Sequence, residues 1–229
     1  MPIKHGEEMR AALFSGGKDS TLAVHKMHER GMPVDLLISM VSENEFSYMF
    51  HRPNIRYTQM QAESMGIEHR YFNTKGEKEK ELEDLESALK ECGVTELVTG
   101  AIASRYQADR INSICGKLGI LHHAPLWGID PLEELKELSE NFNVIVTQVA
   151  AEGFDDQILG HRLDEFMIDR LVALHNTHKT NLLFEGGEAE SFVLDGPLFR
   201  KRVVIRKSHI EWKGSVGQLV MEEAELQEK

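Results

Sequence analysis

Residues 9–30 read MRAALFSGGKDSTLAVHKMHER, and this stretch changes character half-way along. Ala11, Ala12, Leu13 and Phe14 carry no charge and have the length of a short buried strand. From Lys18 onward Leu22, Val24 and Met27 recur at roughly helical spacing, with no Gly or Pro before Gly31. The Ser-Gly-Gly-Lys-Asp-Ser turn therefore lies between the end of a strand and the start of a helix. In an open α/β sheet anions bind there, because free N–H groups and the positive end of the helix dipole both point outward. Gly16 and Gly17 let a ligand approach the backbone, Lys18 adds a positive charge, and Ser15 and Ser20 add hydroxyl groups.

Two familiar phosphate loops do not fit. A Walker A loop needs a Gly five residues before the Gly-Lys pair and Ser or Thr directly after it, where this chain has Ala12 and Asp19. A dinucleotide fingerprint lacks its third Gly. The hexapeptide instead resembles the PP-loop, SGGxDS, of the ATP pyrophosphatases. That resemblance implies ATP as cofactor, cleaved between its α and β phosphates, with pyrophosphate held in the loop.

The chain has 229 residues, enough for one large or two small domains with a real core. No run of about 18 apolar residues occurs, and MPIKHGEEMR has no apolar signal core, so a membrane or secretory reading is not expected. Two separated cysteines, Cys92 and Cys115, suit a cytoplasmic, reducing location. A net charge of −12 argues against a tight nucleic-acid binder and suits a basic protein partner or a small substrate.

Strand and helix alternate through the first half. Residues 34–41, VDLLISMV, form a second strand, a helix follows Pro53, and residues 69–72 form a third strand. Residues 78–92 form a helix closed by Gly93; a fourth strand spans 96–100 with Ala101 and Ile102, and a helix from Ser104 ends at Gly119. This is an α/β pattern with a doubly wound parallel sheet. The texture changes at HHAPLWGIDP, residues 122–131, giving domains at 1–123 and 124–229. Beyond it the expectation is a helix over 132–142, a strand over 144–149, a helix over 164–175, strands within 184–199 and 201–214, and a loose tail, MEEAELQEK. Strands after helices indicate a smaller α+β second domain.

A second chemical cluster, EGGEAESF, spans residues 185–192. Glu185, Glu188 and Glu190 fall within six residues around Gly186 and Gly187, and carboxylates so close suit a cation, a metal or a proton. A plain Gly-Gly turn with solvated acids has equal standing from the residues alone. The glycine loop of domain one and the carboxylate loop of domain two are expected to face each other across a cleft.

Together SGGKDS, GAIASRYQADRINSIC and EGGEAESFV resemble the diphthine–ammonia ligase family of N-type ATP pyrophosphatases, archaeal type, over nearly the whole chain. The resemblance implies a HUP-like first domain, related to the adenine nucleotide alpha hydrolases. It implies ATP-dependent amidation of diphthine on translation elongation factor 2, through an acyl-adenylate, giving diphthamide, AMP and pyrophosphate. It also raises Asp155 and Asp156 to substrate contacts. The nitrogen donor expected is free ammonium, since Cys92 and Cys115 read as small core residues and not as glutaminase nucleophiles. Two other readings remain open: a PP-loop enzyme of RNA thiolation or lysidine type, and a non-catalytic ATP sensor.

The site expected from this reading has several parts. Ser15, Gly16, Gly17, Lys18, Asp19, Ser20, Gly100 and Ser104 bind the nucleotide, and Asp19 is the Mg2+ ligand. Tyr106, Gln107, Arg110, Glu185, Gly186, Gly187, Glu188 and Glu190 bind substrate; Lys18, Asp19, Glu188 and Glu190 are the catalytic set. His51, Arg52 and Asn54 have equal standing as contacts and as plain loop. Glu188 and Glu190 either recognise a cationic substrate or take a proton from ammonium, with Phe192, Tyr106 and Trp127 as aromatic neighbours. The adjacent His122 and His123 are assigned no zinc. The partners expected are elongation factor 2 and ammonium, with no membrane and no nucleic acid; a homodimer is compatible.

Overall fold

The computed structural model describes residues 8–42, 54–77, 80–184 and 186–229. Among these, contacts divide the chain into two compact units, within the spans Met1–Ser15, Asp19–Arg52 and Ile67–Trp127 for the first, and Gly16–Lys18, Pro53–Gly66 and Gly128–Lys229 for the second. Gly16, Gly17 and Lys18 thus belong with the second unit, although the strand before them and the helix that continues from Asp19 do not.

The first unit is built on a parallel sheet of β1 (Arg10–Leu13), β2 (Leu36–Ser42), β3 (Glu68–Thr74), β4 (Glu96–Val98) and β5 (Leu121–His123), in the order β3-β2-β1-β4-β5. Sequence order reverses about β1, which makes this the doubly wound α/β arrangement expected from the strand–helix alternation. The helices are α1 (Lys18–Glu29), α3 (Lys80–Glu91) and α4 (Arg105–Leu118). One face of the sheet, with Ala11, Leu36, Ile38, Met40 and Leu97, buries Leu85, Ala88 and Leu89 of α3 and Ile111, Ile114 and Cys115 of α4. These helical residues recur at three and four positions, the spacing that brings an apolar stripe onto a sheet.

Two expectations for this half need correction. The fourth strand stops at Val98, short of residues 99–102, and a fifth strand lies at Leu121–His123, inside the stretch read as a boundary. Leu121 is exposed and the two histidines are half-buried, so this edge strand shows no apolar run. His51 and Arg52 lie outside the described residues.

The second unit contains α2 (Thr58–Met65), α5 (Pro131–Asn141), α6 (Glu165–His178) and an antiparallel sheet of β6 (Asn143–Val149), β7 (Ala189–Asp195), β8 (Lys201–Lys213) and β9 (Val216–Glu228), in the order β7-β6-β9-β8. This is the α+β unit expected, although by its spans it is not the smaller of the two. The tail expected to be loose is instead β9, paired with β8 from Lys213↔Val216 to Lys201↔Glu228. Beyond the two ladder pairs of β9 with β6, at Gly217 and Gln218, an amide takes over as partner. Asn54 Nδ2 donates to Leu219 O at 2.9 Å and Asn54 Oδ1 accepts from Met221 N at 2.9 Å, as a neighbouring strand would.

Candidate functional site

In the first unit the end of β4 meets the start of α1 at backbone distance. A Cβ on Gly100 would lie 2.6 Å from Asp19 C and 2.8 Å from Asp19 O and Ser20 N, so no side chain fits there. Asp19 occupies the first turn of α1, where the helix dipole favours its charge. Ser15 and Ser20 hydroxyls lie 3.1 Å apart, and Ser15 N donates to Ser20 Oγ at 3.3 Å. Ser104 caps α4 by accepting from Gln107 N, which fixes the helix start. Arg110 stacks its guanidinium 3.5 Å from the ring centroid of Tyr106. One aromatic face of Tyr106 is therefore taken by a cation of this chain.

A polar pair unforeseen from the sequence lies behind the turn. Ser39 Oγ donates to the carbonyl of Phe14, the residue before Ser15, and also lies 2.8 Å from His69 Nε2. A hydroxyl has one hydrogen, and a carbonyl can only accept it, so His69 must donate from Nε2 and carry a bare Nδ1. Among the described residues nothing donates to that buried Nδ1. Burial pushes the His69 pKa down to about 4, which keeps the ring neutral.

In the second unit Gly16, Gly17 and Lys18 are clipped to β7 and α2. Val193 N donates to Gly16 O at 3.0 Å, Gln61 Nε2 reaches Gly16 O at 2.9 Å and Val193 O at 2.7 Å, and Lys18 N donates to Ser191 Oγ at 3.1 Å. Gly16 has φ +76°, and a Cβ there would lie 2.4 Å from Gln61 Oε1 and 3.2 Å from Phe192. Lys18 is 1% exposed; its ammonium lies 3.8 Å from Glu134 Oε1 and 5.5 Å from the centroid of Phe184. The strand after the second motif thus touches the first motif directly.

Within the second motif, Glu185 lies outside the described residues. Gly186 and Gly187 are exposed with φ +86° and +83°, and Phe184 just before them also adopts a left-handed φ of +66°. Glu188 is committed to the fold: its carboxylate accepts Asn181 N, and its carbonyl accepts Ala150 N at 2.7 Å. Glu190 is half-buried on β7 opposite Gln148. Phe192, read as an aromatic neighbour of substrate, is 1% exposed and belongs to the core. Asp155 is bound to Arg170 at 2.7 Å, which gives it a structural task. Gln61, Phe184 and Glu134, all in contact with the turn, lie outside both motifs, and Ser191, though inside the second, is not singled out there.

Neither thiol has the surroundings of a nucleophile. Cys92 and Cys115 are buried and free of disulfides, and burial raises both, Cys115 to about 11.

Residues 9–122 match the family model described as diphthamide synthase N-terminal domain, and residues 130–226 the one described as diphthamide synthase C-terminal domain. The chain is similar to diphthine–ammonia ligase of Homo sapiens, 30% identical over 87% of this chain and 84% of that one. It is also similar to diphthine–ammonia ligase of Rattus norvegicus, 32% identical over 86% and 83%. Among solved structures it is similar to the predicted subunit of tRNA methyltransferase from Methanocaldococcus jannaschii, with TM-score 0.44 and 16% identity, over 82% of this chain and 97% of that one.

Proposed function

This chain belongs to the diphthamide synthase family, and we propose that it amidates diphthine on translation elongation factor 2 with ammonia, converting ATP to AMP and pyrophosphate. It is an enzyme of the carbon–nitrogen ligase type, as its relatives named diphthine–ammonia ligase are. A carboxylate cannot exchange oxygen for nitrogen unaided, because oxide does not leave. Attack of the carboxylate on the α-phosphorus of ATP releases pyrophosphate and leaves an acyl-adenylate. Ammonia then adds to the acyl carbon, the bond to AMP breaks, and the ammonium-derived proton passes to solvent or a carboxylate.

The observation that carries this reading is the held shape of the turn at Gly16–Lys18. Val193 and Gln61 fix the Gly16 carbonyl, and Ser191 accepts the Lys18 N–H, so the backbone of Gly16–Lys18 is held in one conformation. A preset group of N–H donors at a helix N-terminus suits the phosphates of ATP. Lys18 supplies charge, Ser15 and Ser20 hydroxyl donors, and Gly100 and Ser104 the neighbouring helix starts. Asp19 offers a half-buried hard oxygen, which fits one ligand position of Mg2+; the ion, when bound, would neutralise phosphate charge. Tyr106, Gln107, Arg110, Gly186, Gly187 and Glu190, with Glu185 by sequence alone, remain the proposed substrate side.

Free ammonia as donor agrees with two thiols that burial keeps protonated. Two free cysteines also suit the proposed cytoplasmic location, and among the described residues no helix is long and apolar enough to cross a membrane. The test is an assay with protein, ATP, magnesium, ammonium and elongation factor from cells stalled at diphthine. The modified histidine should lose about 1 mass unit as carboxylate becomes amide, with one AMP per amide formed. ADP and orthophosphate as products would remove the adenylate mechanism.

A further inference from the structure

Lys18 is the motif's cation, yet its side chain is almost wholly inside the second unit, at 1% exposure. A buried ammonium needs an anion, and Glu134, with a side chain 0% exposed, approaches it at 3.8 Å. Glu134 is placed there by a well-formed helix start. Asp130 caps α5 through Leu132 N and Glu133 N, Pro131 follows as first residue, and Glu134 N donates to Asp130 O. Its carboxylate therefore sits in the first turn, where the helix dipole favours negative charge. At 3.8 Å the pair is an ion pair without the short contact of a charge-assisted hydrogen bond, and the Phe184 ring 5.5 Å away leaves the ammonium a weakly polar flank.

We infer that Glu134 competes with phosphate for Lys18, and is thereby a positioning residue that sets the enzyme's affinity for ATP and pyrophosphate. This rests on the reading of the turn as the phosphate loop. Glu134 lies 3.8 Å from the Lys18 ammonium, the group that a phosphate in the turn would engage. A phosphate entering the turn must draw the ammonium from the carboxylate, and the carboxylate takes it back as pyrophosphate leaves. Glu134 thus lowers ground-state affinity and favours product release.

The test is calorimetric titration of the full chain with inorganic pyrophosphate. Glu134→Gln removes the competing charge and should bind pyrophosphate about tenfold more tightly. A merely structural role would weaken binding, so the direction of the change separates the two. Glu134→Asp keeps the charge but draws it back, and should tighten binding by a smaller factor; it serves if the Gln variant does not fold. In a Lys18→Met background, Glu134→Gln should change nothing. Unchanged or weaker binding in both Glu134 variants would overturn the inference, as would the same tightening without Lys18. If Lys18→Met alone binds pyrophosphate as the unaltered protein does, the phosphate-loop reading itself falls.

Discussion

The carbonyl of Gly16 accepts a hydrogen bond from the backbone N–H of Val193 at 3.0 Å. The first belongs to the turn between β1 and α1 and the second to β7, three residues beyond Glu190. This bond ties the two motifs together through backbone atoms, so their register does not depend on flexible side chains. Gln61 Nε2 donates to the carbonyls of both residues, Gly16 at 2.9 Å and Val193 at 2.7 Å, closing the arrangement on the α2 side.

Gly16→Ala should therefore damage both stability and nucleotide binding. The left-handed φ of +76° costs an alanine about 1 kcal/mol, and its Cβ would fall 2.4 Å from Gln61 Oε1, displacing the amide. Losing the bridge removes two Gln61 hydrogen bonds to carbonyls, at about 1 kcal/mol each. Urea unfolding should show an unfolding free energy lowered by this sum, and ATP affinity should drop with it. A variant as stable as the parent would show that the clip contributes nothing.

Gly100→Ala tests the other side of the turn. Its Cβ would meet Asp19 and Ser20 backbone at 2.6–2.8 Å, and backbone cannot rotate away as a side chain can. The start of α1 must shift, and with it Asp19. The expected result is a raised magnesium requirement and a loss of kcat/KM for ATP of about 10- to 100-fold, as for a displacement near 1 Å. An unchanged magnesium titration would argue against Asp19 as the ligand.

Much of this was legible in the sequence wherever a segment's chemistry matches its own burial. β1, β2 and β6 are apolar runs, and α3 and α4 carry apolar residues at helical spacing. β9 was missed because its glutamates mask a period of two, although Gly217, Leu219 and Met221 are buried alternately. β5 was missed because two of its three residues are histidines at a sheet edge. The two motifs announced themselves by composition, whereas Gln61 and Glu134 meet the turn only through folding and carry no local mark.

Acid should weaken the fold through His69. Its folded pKa, about 4, lies below the 6.5 of an exposed histidine, so the unfolded chain binds the proton more readily. Stability is full above pH 6.5 and is lost as pH falls towards 4, by up to about 2 kcal/mol after discounting for the ring's partial exposure. His69→Gln retains a donor for Ser39 Oγ and should flatten this limb of a stability curve measured between pH 7 and 4. A limb of the same depth in the variant would assign it to other groups.

The carboxylates of the second motif should separate by assay. Glu188 already accepts Asn181 N, and that bond holds the turn before Phe184. Glu188→Gln retains an acceptor oxygen, so its cost should be about 1 kcal/mol of stability, with the pH profile of turnover unchanged. Glu190 lies half-buried on β7, one residue before Ser191 and opposite Gln148. Taking a proton from ammonium requires a carboxylate whose charged form is partly desolvated, and half-burial on β7 suits Glu190 to that task. Glu190→Gln should lower turnover about 100-fold or more at pH 7, with elongation-factor binding retained and the rate partly restored at pH 9, where ammonia is supplied without a base. Loss of binding at every pH would assign Glu190 to recognition of the substrate's cationic group instead. Equal losses in both variants, with parallel pH profiles, would show that the two carboxylates act together and that the tie of Glu188 to Asn181 gives way when substrate binds.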